Sequence, residues 1–216
     1  MKNITPVLSE LRRDYGEASL DEDALCDSPV DQFELWLQEL FQNLPVNELS
    51  MVLSTVDLNG NPDARVVLLK GIEDGSFIFY THYTSKKGLQ IAHHPYVSLT
   101  LYWPSMARQI RIRGLIAKTS AENSDEYFAS RPFLSQMSAI ISPQSQEIQD
   151  HNLLLQQRDA LAVKCSEQNI SRPNNWGGFA VQPDEVEFWQ GRTHRLHDRV
   201  LYQYKNNQWS HIWLAP

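Results

Sequence analysis

The chain has 216 residues, 42% of them hydrophobic, and a formal net charge of −7. That length and apolar content suit one globular domain with a sizeable core. The acidic balance argues against a nucleic-acid binder, whose affinity rests on neutralising phosphates, and no apolar run approaches the ~20 residues that a membrane-spanning helix needs.

Met1 to Tyr15 is polar and lacks an apolar stretch of secretory type, so a cytoplasmic protein is expected. Cys26 and Cys165 offer neither a disulfide framework nor metal-ligand spacing, and no metal is expected. Residues 1–28, with Asp21-Glu22-Asp23, read as a flexible N-terminal arm, ordered only against a ligand or a partner chain; 29–216 reads as a single domain. Pro29 to Phe41 carries Phe33, Trp36, Leu37, Leu40 and Phe41 at helical spacing. Leu49 to Leu58 alternates as a strand, Asn59-Gly60 signals a hairpin turn, and Ala64 to Lys70 returns. Ser76 to Thr81 is a third strand, and Ser85 to His93 a short helix with Ser85 as a possible cap. Val97–Trp103 and Gln109–Lys118 read as paired strands, Ala121–Ser130 as a helix, Pro132–Ser145 as a loop and Gln146–Cys165 as a helix. Phe179–Gln182, Val186–Gln190, Val200–Tyr204 and Gln208–Leu214 finish the chain as strands, the last two turning at Asn206-Asn207. Many strands in neighbouring pairs, few helices and no Gly-x-Gly-x-x-Gly predict a mainly β fold, a barrel with helical additions.

Basic residues are bunched in this acidic chain, which suits a small anionic ligand. Ser85-Lys86-Lys87 opens a helix, where free N–H groups and the helix dipole favour a phosphate. Arg65 and Lys70 have opposite parity on an ideal strand and face opposite sides, unless Lys70 lies past the strand end, which Gly71 makes possible. Tyr127 and Arg131 stand four apart, at one helix face or its end, with Ser135 following. If Arg195 to Arg199 is extended, Arg195, His197 and Arg199 share one face and Leu196 points away. Each of these also has a plain reading as solvated or packing residues.

Residue identity narrows the choice. Glu187-Phe188-Trp189-Gln190-Gly191-Arg192, followed by Arg195-Leu196-His197-Asp198-Arg199, resembles the C-terminal signature of the pyridoxamine 5′-phosphate oxidase family. The resemblance continues in order through Arg12-Arg13-Asp14-Tyr15, Arg65 to Lys70, Phe79-Tyr80-Thr81, Ser85-Lys86-Lys87, Arg108-Gln109, Tyr127-Phe128, Ser130-Arg131-Pro132, Ser135-Gln136, Gln144-Ser145 and Trp176 to Phe179. Ordered matches across nearly the whole chain are far more specific than any one motif. The resemblance implies the FMN-binding split β-barrel, a homodimer with the flavin between subunits. It implies oxidation of pyridoxamine or pyridoxine 5′-phosphate by O2 to pyridoxal 5′-phosphate, with release of H2O2. Resemblance places Arg65, Val66, Val67, Leu68, Leu69, Lys70, Tyr80, Thr81, Lys86, Lys87, Gln109, Gln144, Ser145, Trp189 and Arg199 on FMN. For the substrate it implies Arg12, Arg13, Asp14, Tyr15, Lys70, Tyr127, Arg131, Ser135, Arg195, Leu196 and His197, with Arg195 and His197 at the reacting ring. Lys86 stands where relatives often carry Arg, and Ser138-Ala139-Ile140 replaces a more usual Gly-Ala-Trp-like run. The alternatives are a split-barrel flavin reductase and a non-catalytic binder of FMN or pyridoxal phosphate.

Overall fold

The computed structural model describes residues 14–43, 49–165 and 170–216. Arg12 and Arg13 lie outside the described residues. Its helices are α1 (Pro29–Asn43), α2 (Lys86–His93), α3 (Ala121–Ser130), α4 (Phe133–Ile141) and α5 (His151–Lys164). Its strands are β1 (Leu49–Val56), β2 (Pro62–Leu69), β3 (Gly71–Glu73), β4 (Ser76–His82), β5 (Tyr96–Trp103), β6 (Arg108–Lys118), β7 (Trp176–Gln190), β8 (Asp198–Lys205) and β9 (Gln208–Trp213). Hydrogen-bonded strands follow the order β2-β1-β5-β6-β7-β4-β3, with β8 on β7 and β9 on β8.

The chain forms two compact units, one of Val46–Thr100 with Ile112–Asp184, the other of Met1–Pro45, Leu101–Arg111 and Glu185–Pro216. In the first, β1 and β2 form the expected hairpin, with Val56 opposite Pro62. The Asp57 carboxylate accepts from the N–H groups of Asn59 and Asn61, and Gly60 takes φ +84°. Leu53, Phe77, Phe79, Leu99, Ile112 and Val181 are fully buried in this unit. Removing such side chains from water stabilises the fold by about 1.5–3 kcal/mol each.

In the second unit α1 buries Phe33, Trp36 and Leu40, while Phe41 stays half exposed. The Ser28 hydroxyl accepts from Val30 N–H, and Pro29 takes the first helical position, where a missing donor is harmless. Trp36 meets Phe188 edge-on at 5.1 Å and carries the Arg108 guanidinium 4.2 Å from its ring centroid. The β8–β9 hairpin turns at Asn206 and Asn207, both at positive φ, as a tight hairpin requires.

Four stretches differ from the sequence reading. Residues 133–141 are helix α4 rather than loop, burying Gln136, Met137 and Ala139 on one face. Helix α5 starts at His151, five residues later than expected, because Asp150 caps it by accepting from Asn152 N–H. The two strands expected around Pro183 are one strand, β7. Pro183 falls between Val181, the last residue paired with β4, and Glu185, the first paired with β8, so its missing donor breaks neither of those two ladders. Finally, Thr193–Arg195 is a 3₁₀ turn with His194 and Arg195 at φ +56° and +63°. Arg195 therefore lies off β8, and the shared strand face expected for Arg195, His197 and Arg199 does not exist.

Candidate functional site

A cavity of about 410 Å³ opens in the first unit. Val66, Val67 and Leu68 of β2 form an apolar wall, and Lys70 stands just past the end of that strand. The Lys70 N–H donates to the Ile78 carbonyl at 2.9 Å, so the chain has left the β2 ladder and parity no longer constrains the side chain. β4 contributes Tyr80, Thr81 and His82, α2 contributes Lys87, and the end of α3 contributes Tyr127 and Arg131. Ser138, Ala139, Ser142, Gln144 and Trp176 complete the lining.

Three cations, Lys70, Lys87 and Arg131, thus line one space, and no carboxylate joins them among the described residues. Lys87 is nearly buried, and its ammonium donates to Gln144 Oε1 at 2.9 Å, Thr81 Oγ1 at 3.2 Å and Ser85 Oγ at 3.3 Å. Burial, with the Arg65 charge adding, pushes it down to about 8. Ser85 caps α2 by accepting from Gly88 N–H, which fixes the first turn. Gly88 is required there, because a Cβ would collide with the carbonyl oxygens of Tyr83 and His82.

The Arg131 guanidinium lies 4.6 Å from the Trp176 ring centroid, and its Nη1 is buried without a hydrogen-bond partner among the described residues. Gln136 of α4 donates to the Arg131 carbonyl at 2.8 Å, so the unforeseen helix fixes the position of this arginine. Tyr80 and Tyr127 stack at 3.7 Å, with Trp176 nearly parallel to both. Burial pushes the Tyr80 phenol up to about 12 and raises that of Tyr127, although Arg131 opposes the latter. Both phenols therefore keep their protons at neutral pH and can donate.

Other expected FMN contacts sit apart from this lining. Arg65 pairs with Asp63 at 2.9 Å and donates to Thr55 Oγ1, Gln90 Oε1 and the Leu53 carbonyl. Lys86 pairs with the same Asp63 at 3.0 Å. A hydrogen bond from Lys86 leads the causes that hold the Asp63 carboxyl down to about 2, ahead of Gln90 and the Arg65 charge. Leu69 is core, Ser135 belongs to the first turn of α4, and Ser145 takes φ +72°.

The remaining expected contacts lie in the second unit. Tyr15, Trp189 and His197 pack their rings within 5.5 Å of one another, and Gly191 leaves room where a Cβ would strike Tyr15. His197 Nδ1 accepts from Arg192 N–H at 3.1 Å. A neutral His197 ring therefore carries its proton on Nε2. Glu187, 7% exposed, holds Arg111 at 3.0 Å and Arg199 at 2.9 Å. Gln109 precedes buried Ile110 on β6, Asp14 accepts weakly from Gly16 N–H, and Leu196 is exposed. Sequence reasoning missed His82, Ser138, Ala139, Ser142 and Trp176 as lining residues. For Trp176 a signal existed in Trp176-Gly177-Gly178, which reads equally well as a turn but opens β7.

Comparison with known proteins follows the same lines. The family described as pyridoxamine 5′-phosphate oxidase matches residues 37–165, and the pyridoxine 5′-phosphate oxidase C-terminal dimerisation region matches 176–216. A pyridoxine/pyridoxamine 5′-phosphate oxidase of Legionella pneumophila is 52% identical over 209 residues, 97% of each chain. One from Bacteroides thetaiotaomicron is 44% identical over the full length of both chains. Among solved structures, PhzG from Burkholderia lata, in complex with tetrahydrophenazine-1-carboxylic acid, superposes with a TM-score of 0.87 at 27% identity, over 94% of this chain and 100% of that one. A pyridoxamine 5′-phosphate oxidase-related, FMN binding protein of Nostoc punctiforme gives 0.71 at 19% identity over 89% of this chain and 100% of that one, a likeness of fold alone. The fold is the split β-barrel that the resemblance implied.

Proposed function

The chain belongs to the pyridoxamine 5′-phosphate oxidase family, and from that premise we propose that it oxidises pyridoxamine and pyridoxine 5′-phosphates to pyridoxal 5′-phosphate. O2 is the electron acceptor, H2O2 is released, and the amine substrate also yields ammonia once water hydrolyses the imine. The observation that carries this reading is the convergence of Lys70, Lys87 and Arg131 on a cavity without a lining carboxylate, where Arg131 Nη1 lacks a partner. Of the three only Lys87 is buried, and a cation taken out of water is at ease only opposite an anion. Phosphate monoesters fit that donor set, and both FMN and the substrate carry one.

Lys70, Tyr127 and Arg131 would hold the substrate phosphate, with Ser135 added from the resemblance. Lys87, with Gln144 and Thr81, would face FMN, and Val66 to Leu68 would lie along its ring system. Arg65 and Lys86, oriented by Asp63, would add positive charge at the flavin phosphate. Bound FMN would supply the redox chemistry, accepting a hydride from the 4′ carbon and returning the electrons to O2. Arg195 would hold the pyridine ring, together with His197 through its Nε2 proton. Fixing phosphate and ring together makes the transfer effectively intramolecular. Trp189, Arg195, His197 and Arg199 all fall within the region matching the family's dimerisation region. We place the flavin at the interface of a homodimer, in the cytoplasm, where the free thiols of Cys26 and Cys165 are at home.

The test is an absorption spectrum. Purified protein should be yellow with FMN, not FAD, and anaerobic pyridoxine 5′-phosphate should bleach it far faster than pyridoxine does. A flavin reductase or a non-catalytic binder would hold flavin that the phosphorylated vitamer leaves oxidised.

A further inference from the structure

His82 ends β4, opposite Trp176 in the pairing with β7. The residue is 4% exposed and belongs to the lining of the cavity. Its Nδ1 is buried and has no hydrogen-bond partner among the described residues. Leaving such an atom unpaired costs about 1–3 kcal/mol, so folds rarely keep one without a purpose. The other buried side-chain atom without a partner among the described residues is Arg131 Nη1, in the same cavity. Two orphaned nitrogens on residues that line one space suggest one missing acceptor-rich ligand.

Charged groups facing His82 are cationic: Lys87 from α2, Arg131 from the end of α3, and Lys70 beyond β2 along the same lining. Tyr80, Tyr127, Gln144 and Trp176 around them are uncharged. Burial first, then the Lys87 and Arg131 charges, hold the imidazole below the ordinary histidine value. A dianion entering this space reverses the local field, because it cancels the cations and attracts the imidazolium.

We propose that His82 is a further ligand of the phosphate monoester bound in this cavity, donating from Nδ1, and that its ring takes up a proton as the phosphate arrives. The proposal deepens the reading above and rests on it. The phosphate could be that of the flavin or that of the vitamer, since Lys87 is assigned to one and Arg131 to the other.

Calorimetry near pH 7 in buffers of different ionisation enthalpy counts the protons. Lys87 is already charged there. One arm titrates apoprotein with FMN, the other titrates FMN-loaded protein with pyridoxal 5′-phosphate. His82→Asn keeps an amide donor but cannot titrate, and the ligand's own protons cancel in the comparison with wild type. Wild type should take up measurably more protons than His82→Asn in one arm, and that arm identifies the phosphate. His82→Leu should weaken the same ligand about tenfold or more, as loss of a charge-assisted hydrogen bond does. Should His82→Leu fail to fold, the proton count with His82→Asn decides alone. Wild-type binding of both ligands with equal proton counts for His82→Asn in both arms would overturn this proposal and leave the phosphate-site reading standing. Wild-type protein that binds neither ligand would overturn both.

Discussion

Arg131 reaches the cavity from the end of α3, its guanidinium laid on Trp176 and one nitrogen unpartnered. A charge-assisted contact contributes about 1.5–3 kcal/mol. Arg131→Ala should therefore lower kcat/KM for pyridoxine 5′-phosphate by about 10–100-fold and leave the weak use of unphosphorylated pyridoxine nearly unchanged. Steady-state rates on both substrates check this, and equal losses on both would remove Arg131 from the phosphate. Lys87 gives a pH signature of known sign. Its folded value, about 8, lies below the ordinary 10.5, so the unfolded chain holds more protons between those values. Lys87 thus makes the apoprotein more stable as pH rises through that window. Phosphate binding runs the other way, since it needs the ammonium. FMN affinity of the apoprotein should fall above about pH 8, approaching tenfold per pH unit, and Lys87→Met should abolish the break. Flavin fluorescence quenching from about pH 7 to about pH 9 would show it. Arg195 is held in the 3₁₀ turn with φ +63° rather than on a strand. Arg195→Ala should stay yellow yet reduce its flavin about 100-fold more slowly under anaerobic substrate, the loss expected for a positioning contact. Stopped-flow absorbance measures that rate, and wild-type reduction by the variant would place the substrate elsewhere.

At the scale of elements, the first turn of α2 joins cap, close approach and cation. Ser85 Oγ accepts from Gly88 N–H and Lys87 Nζ, and its hydroxyl donates to the His82 carbonyl at 2.7 Å. Ser85→Ala should destabilise the protein by about 1 kcal/mol through the lost cap, a fall of about 2–4 °C in Tm for a chain of this size. Gly88→Ala should do worse, because the obstructing atoms are backbone carbonyls that cannot swing aside. We expect it to lose FMN as well as stability, read by thermal melting and by flavin content after purification. Ser85 was legible as a cap from its place before Lys86-Lys87, and the Asn206-Asn207 turn from its residue types. Helix α4 was not, because its Ser and Gln residues and flanking prolines read as loop. It forms because Met137 and Ala139 are buried, Ala139 in one cluster with Phe128 and the distant Trp176.

For the whole molecule, the residues proposed for one reaction fall in two compact units, and Trp189, Arg195, His197 and Arg199 of the second fall within the matched dimerisation region. If the flavin lies between two chains, FMN retention must depend on protein concentration. Dilution toward the dimer dissociation constant should release FMN and activity together, by sedimentation and fluorescence on the same samples. A monomer that keeps its flavin with undiminished affinity would contradict the interface placement.

Sequence alone determined the family, the mainly β class, the hairpins and most of the residues to inspect, because propensity, turn chemistry and ordered motifs are written locally along the chain. Tertiary structure decided which of those residues meet. Thr81 and Gln144, 63 positions apart, share a hydrogen bond beside Lys87, whereas the adjacent Lys86 turns to Asp63 with Arg65. His82 carried no local signal, since a strand-end histidine reads the same buried or solvated. Only the folded chain buries it opposite Trp176 and leaves its Nδ1, with Arg131 Nη1, without a partner among the described residues. Convergence of this kind depends on distances that close through the core, and neither spacing nor composition encodes them.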